Sequence, residues 1–217
     1  MKEERTVPQA VLHRLPRYYR YLGDLLDEGV ERISSSELGE RMGSTASQIR
    51  QDLNYFGGFG HQGYGYNVAR LYSEMAEILG VSEAKSAIIL GMGRLGSAIV
   101  NRITFEKRGF NVIGVFDNRE DIIGTDIGGF VVRDISTLEQ FCLENKPQSA
   151  FLTLPREVAP EMALKLEELG VQGFWNFSSG YIRLNDPTIP VENMHFGDSL
   201  MTLSCRMQKR AAKAQED

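Results

Sequence analysis

Residues 88 to 96 read Ile88-Ile89-Leu90-Gly91-Met92-Gly93-Arg94-Leu95-Gly96, a G-x-G-x-x-G pattern between an apolar run and a helical pattern. We expect Gly91 to allow a tight turn, Gly93 to let a pyrophosphate approach the backbone, and Gly96 to bring helix and strand together. The phosphates would then meet free N–H groups at a helix N-terminus, where the dipole favours anions. Asp117 follows Gly96 by 21 residues, where a carboxylate hydrogen-bonds the ribose of a dinucleotide.

Around this turn, short apolar runs alternate with amphipathic helices, which is typical of βαβ units on a doubly wound parallel sheet. The pattern predicts strands at 86–91, 112–117, 149–154 and 173–176, and helices near 94–106, 135–145 and 157–169. We expect the sheet to end near Asn176. A last helix over about 198–213 carries apolar residues on one stripe, namely Leu200, Leu203, Met207 and Ala211.

The ligand and the chemistry of this half are only partly fixed by the residues. Asp117 favours NAD over NADP, whereas Arg119 is placed to contact the 2′-phosphate of NADP. Two alternatives to a dinucleotide site remain: a glycine turn with only a structural role, and a coenzyme A site. Only 41 residues follow Asn176, and no Tyr-x-x-x-Lys pair or metal-ligand cluster is visible in this half. Tyr181 and His195 remain as catalytic candidates, each more readily explained as structural. We therefore predict a cofactor-binding protein that is not an enzyme.

The first 80 residues have helical periodicity instead. An amphipathic helix is expected from Val7 to Leu26, restarting at Pro16. Capping signatures at 34–37 and 45–48 open two short helices, and a fourth helix runs over 68–79. Between them, residues 56–66 hold five glycines among aromatic side chains, which suits a β-hairpin. This order is typical of a winged helix-turn-helix.

The helix that opens at Thr45 has two different faces. Its apolar face, with Ala46, Ile49 and Leu53, should pack on the other helices. The opposite face carries side chains that can read base edges in a major groove: Ser47, Gln48, Arg50, Gln51 and Asn54.

The charge of the chain first argues against a nucleic-acid partner. The chain has 217 residues and a net charge of -5. Residues 5–20, however, hold four arginines and no acid, and a focused patch suffices for phosphate contacts. Asp52 stands awkwardly near phosphates, and we expect it to orient either Arg50 or Arg17.

Other features of the sequence indicate the cellular compartment of the protein. No apolar run approaches the about 20 residues that span a bilayer, and the N-terminus leads into no secretory segment. Cys142 and Cys205 are most simply explained as buried thiols in a reducing cytosol. We expect a cytoplasmic protein with no membrane partner.

Several motifs together resemble the Rex family of bacterial redox-sensing transcriptional repressors, over nearly the whole chain. They are Arg14-Leu15-Pro16-Arg17-Tyr18-Tyr19-Arg20-Tyr21-Leu22, Ser35-Ser36-Glu37-Leu38, Gln48-Ile49-Arg50-Gln51-Asp52-Leu53-Asn54-Tyr55-Phe56-Gly57, Gly60-His61-Gln62-Gly63-Tyr64-Gly65-Tyr66, the glycine turn, Phe116-Asp117, Leu154-Pro155-Arg156 and Asn176-Phe177.

The resemblance implies a homodimer that binds a palindromic operator in double-stranded DNA and releases it when NADH replaces NAD+. It implies a C-terminal helix swapped onto the partner, with Phe196 in the partner's nicotinamide pocket. Arg20 would join interdomain hydrogen bonding. Two residues depart from the family pattern: Gln51 replaces a basic residue, and His195 replaces an acid, for which Asp198 is a substitute.

Combining the residues with the resemblance gives three predicted segments: a winged-helix DNA-binding domain at 1–80, a Rossmann NAD(H)-binding domain at 81–195 and a swapped dimerisation helix at 196–217. The predicted cofactor-binding residues are Gly91, Met92, Gly93, Arg94, Leu95, Gly96, Asp117, Asn118, Arg119, Thr153, Pro155, Asn176 and Phe196. The predicted DNA-binding residues are Arg14, Arg17, Ser47, Gln48, Arg50, Gln51, Asn54, Tyr55, Phe56, Gly60, His61, Gln62, Gly63, Tyr64, Gly65 and Tyr66. A small NAD(H)-dependent oxidoreductase with an accessory helical domain is the alternative function.

Overall fold

The computed structural model describes residues 7–56 and 65–216, and the chain divides into two compact units, Met1–Glu83 and Ala84–Asp217. The described elements of the first unit are the helices α1 Gln9–Leu12, α2 Leu15–Asp27, α3 Ser35–Met42, α4 Ala46–Asn54 and α5 Val68–Ile78, and the strands β1 Arg32–Ile33 and β2 Tyr66–Asn67. The fold therefore has the predicted helix order, with two short strands among the helices.

The helix boundaries follow from local capping. Ser34 and Glu37 form the predicted capping box, with 2.8 Å from the Ser34 N–H to the Glu37 carboxylate. The helix α3 ends at Gly43, whose φ of +61° is left-handed. Thr45 accepts from the Gln48 N–H at 3.1 Å and so begins α4.

The first predicted helix is divided in two. It breaks at His13 and Arg14, and Pro16 lies in the first turn of α2, where its missing N–H costs no helical hydrogen bond. The helix α2 buries Leu15, Tyr18, Leu22 and Leu25 in the core of this unit.

The predicted hairpin over 56–66 is only partly described, since residues 57–64 lie outside the described residues. Its last part forms β2, which pairs antiparallel with β1 through Tyr66 and Ile33. Gly65 precedes this pair with a φ of +68°, and a Cβ there would lie 2.7 Å from the Ile33 carbonyl oxygen. The strand β1 was not predicted, because two residues are too few to establish an alternation.

The second unit alternates strands and helices. Its described strands and α-helices are β3 Lys85–Leu90, α6 Arg94–Arg102, β4 Phe110–Asp117, β5 Asp126–Ile127, β6 Phe130–Asp134, α7 Leu138–Asn145, β7 Ser149–Leu152, α8 Ala159–Glu168, β8 Phe174–Asn176, β9 Val191–Asn193 and α9 Phe196–Glu216.

These strands form one sheet in the order β5-β6-β4-β3-β7-β8-β9, in which only β5 and β6 pair antiparallel. The strand β4 pairs with one edge of β3, and β7, which comes later in the chain, pairs with the other edge of β3. Ligands of such sheets bind at the carboxyl ends of the strands where the order reverses. Gly91 and Thr153 directly follow the two strands at that point.

The sheet does not end near Asn176 as expected, because β9 pairs with β8 beyond it. This strand reads Val-Glu-Asn and is half-buried at Val191 and exposed at Glu192 and Asn193, so it offers no apolar run to recognise. The strand β6 was also missed, and α6 ends at Arg102 because Ile103 is extended, with φ −101° and ψ 124°.

The last helix is longer than predicted and lies open along one stripe. Phe196, Leu200, Leu203 and Met207 of α9 are each more than half exposed. Cys142 is buried as expected, but Cys205 is exposed because it lies on this helix. Across residues 7–56 and 65–216, no helix combines the length and apolar character needed to cross a membrane.

Candidate functional site

The glycine turn after β3 has the geometry that its spacing predicts. Gly91 has a φ of +94°, and a Cβ there would lie 2.6 Å from the Thr153 carbonyl oxygen. On Gly96, in α6, a Cβ would lie 2.0 Å from the Gly91 carbonyl oxygen. Neither position has room for a side chain, so the first glycine makes the turn and the third allows strand and helix to approach.

The middle glycine has open space around it. A Cβ on Gly93 would meet no heavy atom of the described residues within 4 Å. Gly93 is also the N-cap of α6, and among the described residues no side chain caps this end. The N–H groups of the first helical turn are therefore available to an anion. The residues present fit a pyrophosphate at this place.

The buried carboxylate of Asp117 lies against the turn. One oxygen accepts from the Met92 N–H at 2.6 Å, and the other accepts from the Arg119 N–H at 2.9 Å. Each carboxylate oxygen can accept two hydrogen bonds. Asp117 can thus hold the turn and still accept from ribose hydroxyls.

The side chain of Arg119 folds back onto the same turn. Its Nη2 donates to the Met92 carbonyl at 3.1 Å, and its Nε lies 3.4 Å from Asp117. The sequence left open whether Arg119 contacts a 2′-phosphate. In the structure its guanidinium donates to Asp117 and Met92 instead, so such a contact would require the side chain to reorient. Asn118 beside it is exposed.

Other predicted cofactor residues lie at neighbouring strand ends. The Thr153 hydroxyl donates to the Leu90 carbonyl at 2.9 Å, which joins β7 to β3. The Asn176 amide donates to the Gly180 carbonyl and to Asn193, both at 2.8 Å. The remaining members differ in exposure: Arg94, Pro155 and Phe196 are exposed, and Leu95 is half-buried.

The polar face of α4 is mostly open. Ser47, Arg50, Gln51 and Asn54 are exposed, and Arg50 Nη1 donates to the Ser35 hydroxyl at 2.9 Å. Tyr55 and Phe56, which follow α4, are half-buried. Four side chains suited to base edges therefore share one accessible surface.

The carboxylate of Asp52 is fully buried and collects four hydrogen bonds, in what we call the Asp52 cluster: Asp52, Arg14, Tyr18 and Gln48. Arg14 binds both oxygens, at 2.6 Å and 2.8 Å, Tyr18 donates at 2.6 Å and Gln48 at 2.8 Å. The expected partners, Arg50 and Arg17, are not involved. Arg17 instead donates to the Met42 carbonyl.

These contacts change the acid–base properties of the cluster. Burial alone would raise the pKa of the Asp52 carboxyl, but hydrogen bonds from Arg14, Tyr18 and Gln48 outweigh it and hold that pKa below its ordinary value. Burial and the hydrogen bond to Asp52 raise the pKa of Tyr18.

The lowered pKa predicts a stability loss in acid. The contribution of Asp52 is complete above its unfolded-state pKa, about 3.9, and is lost as pH falls through the lower folded-state pKa. Replacing Asp52 with Asn should cost about 1–3 kcal/mol at neutral pH and remove this acid-dependent part. Hydrogen exchange of the α4 amides measures both effects. Asp24→Asn, an exposed site on α2, is the control, and equal acid profiles for the two variants would contradict the assignment.

Signals for this cluster were present in the sequence. Arg14, the N-cap of α2, precedes Tyr18 by four residues, as Gln48 precedes Asp52 on α4, so each pair lies on one side of its helix. Asp52 also adjoins the apolar Leu53, which suggests burial. Residue spacing alone, however, does not show that the side of α2 near Arg14 and Tyr18 packs against the side of α4 that carries Gln48 and Asp52.

Some predicted DNA contacts are placed elsewhere or not described. Tyr66 is only 8% exposed and packs in the core, and burial raises its pKa. Gly65 is half-buried beside it. The rest of the predicted wing lies outside the described residues: Gly60, His61, Gln62, Gly63 and Tyr64.

The predicted interdomain hydrogen bonding of Arg20, with His195 and Asp198, stays a prediction. The guanidinium of Arg20 lies 5.8 Å from the Tyr21 ring centroid within its own unit. His195 and Asp198 belong to the second unit, where the Asp198 N–H donates to the His195 carbonyl at 3.1 Å.

The two catalytic candidates form no reactive arrangement. The rings of Tyr181 and His195 lie 6.5 Å apart, and Tyr181 is 81% exposed. In residues 7–56 and 65–216, no three His, Cys, Asp or Glu side chains converge as metal ligands. The contacts described for the glycine turn, Asp117 and Thr153 are of the kind that bind a ligand.

Two family models match the chain, one in each unit. Residues 6–54 match "Putative DNA-binding protein N-terminus", and residues 82–180 match "CoA binding domain". The first match includes α4, and the second includes the glycine turn and Asp117.

Individual relatives cover almost the whole chain. A redox-sensing transcriptional repressor Rex from Thermoanaerobacter sp. (strain X514) is 48% identical over 209 residues, 96% of this chain and 93% of the relative. The structure of RSP in complex with β-NAD+ and operator DNA is 47% identical, covers 96% of both chains and has a TM-score of 0.84. RSP in complex with β-NADH is 42% identical, covers 98% of this chain and 99% of that one, and has a TM-score of 0.87. With relatives that are repressors rather than dehydrogenases, this chain belongs to the Rex family of redox-sensing transcriptional repressors.

Proposed function

We propose that the protein is a cytoplasmic transcriptional repressor that senses the NADH/NAD+ ratio, binds a palindromic operator as a homodimer and releases it when NADH binds. The observation that carries this proposal is the open space at Gly93 beside the buried Asp117 carboxylate. It supports a dinucleotide site in the same chain as the exposed polar face of α4. The complexes of RSP with β-NAD+ and operator DNA, and with β-NADH, support both ligands.

The second unit binds the nucleotide through its own backbone and one acid. The first turn of α6 receives the pyrophosphate at Gly93, and Asp117 accepts from the ribose hydroxyls. Arg119 donates to Asp117 and Met92, so turning it toward a 2′-phosphate would break these two hydrogen bonds, which favours NAD(H) over NADP(H).

Discrimination between the two redox forms depends on the nicotinamide end, since NADH and NAD+ share every other group. Phe196 is 58% exposed, with its ring 6.3 Å from Phe177. Such apolar rings, contributed to a partner's pocket, would favour the neutral ring over the cation, because burying an unpaired charge is costly.

The open stripe of α9 supports the homodimer. An amphipathic helix buries its apolar face against another element, and Phe196, Leu200, Leu203 and Met207 leave this face exposed in the single chain. A second copy of the chain supplies an identical helix, and the swap of α9 onto the partner covers both stripes.

The test is a titration of purified protein on labelled operator DNA with either nucleotide. We expect NADH to weaken operator binding by at least tenfold more than an equal concentration of NAD+. Operator DNA should weaken NADH binding by the factor by which saturating NADH weakens operator binding, because the coupling is reciprocal. Equal responses to NADH and NAD+ would contradict the proposal, as would oxidation of NADH on addition of a small substrate.

The match of residues 82–180 to a coenzyme A-binding model favours one second candidate, a regulator that binds coenzyme A through the same glycine turn. The carboxylate of Asp117 in the ribose position argues against it. Thermal shifts with NADH and with coenzyme A separate the two: stabilisation by coenzyme A alone would favour the second candidate.

A further inference from the structure

The Asp52 cluster connects the helix that carries the base-reading face to the first long helix. Asp52 lies on α4, and its carboxylate accepts from the guanidinium of Arg14, the N-cap of α2, and from the hydroxyl of Tyr18 in α2. The Asp52 side chain is 1% exposed, so these contacts are made away from water, where a charge must be fully satisfied. Small changes in the rotation of α4 about its axis would break several of them together.

One member of the cluster had been placed among the base-reading residues. Bidentate recognition of adenine by a glutamine needs both the amide N–H group and the carbonyl oxygen. The Nε2 of Gln48 donates to Asp52 Oδ1 at 2.8 Å, and the residue is half-buried. One of the two N–H bonds of the Gln48 amide is thus used inside the protein, which fixes the orientation of that amide, while Gln51 and Asn54 on the same helix are exposed.

The guanidinium of Arg14 is also committed. Its Nε and Nη2 both bind Asp52, although its side chain is 36% exposed. A bidentate pair of this kind fixes the plane of the guanidinium and so restricts Arg14 to one orientation.

We propose that Asp52 is a positioning residue for operator recognition: through Arg14 and Tyr18 it fixes α4 against α2, and it holds Gln48 out of the base-reading set. Discrimination between operator bases then rests on the four exposed side chains of α4: Ser47, Arg50, Gln51 and Asn54. This inference depends on the operator binding proposed above.

Gln48 and Gln51 provide a matched pair for the first test. Each is replaced by Ala, and binding is measured to the operator and to single-base-pair variants of it. Gln48→Ala should weaken binding to all these DNAs by a common factor of about 2–5, because it acts through helix placement and is independent of base identity. Gln51→Ala should lose about tenfold discrimination at one base pair and little elsewhere. Loss of discrimination at one base pair with Gln48→Ala would overturn the inference.

The second test asks whether Asp52 supports specific binding in particular. Asp52→Asn keeps the shape but has only one accepting oxygen, and it should lower the ratio of operator to random-sequence affinity at least tenfold. Arg14→Lys keeps an ion pair without the bidentate geometry, so it should lower the ratio by an intermediate factor. The double variant Asp52→Asn, Arg14→Lys should be no worse than Asp52→Asn alone. An unchanged ratio in Asp52→Asn would overturn the inference.

Three outcomes are separable. A folded wild-type protein that binds no operator would overturn the proposed function and this inference with it. Operator binding that ignores NADH would overturn only the redox proposal, since the cluster tests need no nucleotide. Hydrogen exchange of the α4 amides in each variant checks that this helix is folded. If α4 is unfolded in Asp52→Asn, the comparison of Gln48→Ala with Gln51→Ala decides the inference.

Discussion

Replacing Gly96 with Ala is expected to abolish the response to NADH while operator binding persists. The new Cβ would lie 2.0 Å from the Gly91 carbonyl oxygen, so strand and helix must separate at the turn. Overpacking of this kind costs about 1–3 kcal/mol of stability. Displacing two charge-assisted backbone contacts to a pyrophosphate should weaken NADH binding about 100-fold or more. Calorimetric titration and operator release measure the two effects.

The matched control is Gly93→Ala, the same substitution three residues earlier. A Cβ there meets no heavy atom of the described residues within 4 Å, so the melting temperature should stay near the wild-type value. The methyl group does occupy the space proposed for the pyrophosphate, and NADH binding should still weaken about tenfold. Unchanged NADH affinity in both variants would show that the nucleotide binds elsewhere.

Replacing Asp117 with Ala should have the second largest effect. It removes the acceptor for two ribose hydroxyls, and each lost hydrogen bond to a charged group costs about 1.5–3 kcal/mol, so NADH affinity should fall about 100-fold or more. It also frees Arg119, whose Nε now lies 3.4 Å from the carboxylate, to pair with a 2′-phosphate. The preference for NADH over NADPH should therefore fall sharply or reverse in competition binding.

The control for charge alone is Asp121→Ala, an exposed residue in the segment that follows β4. It removes the same charge but leaves Asp117, Met92 and Arg119 in contact, so the NADH preference should be retained. If both variants changed cofactor preference equally, long-range charge rather than the Asp117 contact would be responsible.

Much of the second unit could be predicted from the sequence, because its central strands are buried on both faces. Ile88 and Leu90 point to one side of the sheet, and Ala87 and Ile89 to the other, which produces a continuous apolar run. The outer strands lack that signal: β9 lies at an edge, and Val131 in β6 is 59% exposed. Edge strands are set by their neighbours more than by their own composition.

The sites were predictable to a different extent. The roles of Gly91 and Gly96 follow from backbone geometry that their spacing encodes, and the structure confirms the steric limits on both. The partner of Asp52 was not predictable, because 38 residues separate it from Arg14 and only tertiary packing brings them together. The two expected partners were Arg50, two residues away, and Arg17 on α2, whereas the structure uses Arg14 at the N-cap of α2.

The separation of buried and exposed residues along α4 has an evolutionary consequence. Ile49, Asp52 and Leu53 are buried, and their replacement is limited by folding. Ser47, Gln51 and Asn54 are exposed, and surface substitutions at such places usually change stability by no more than about 0.5 kcal/mol. A lineage whose regulatory sites drift can therefore retune this helix one exposed residue at a time, and the nucleotide-binding half can be inherited unaltered.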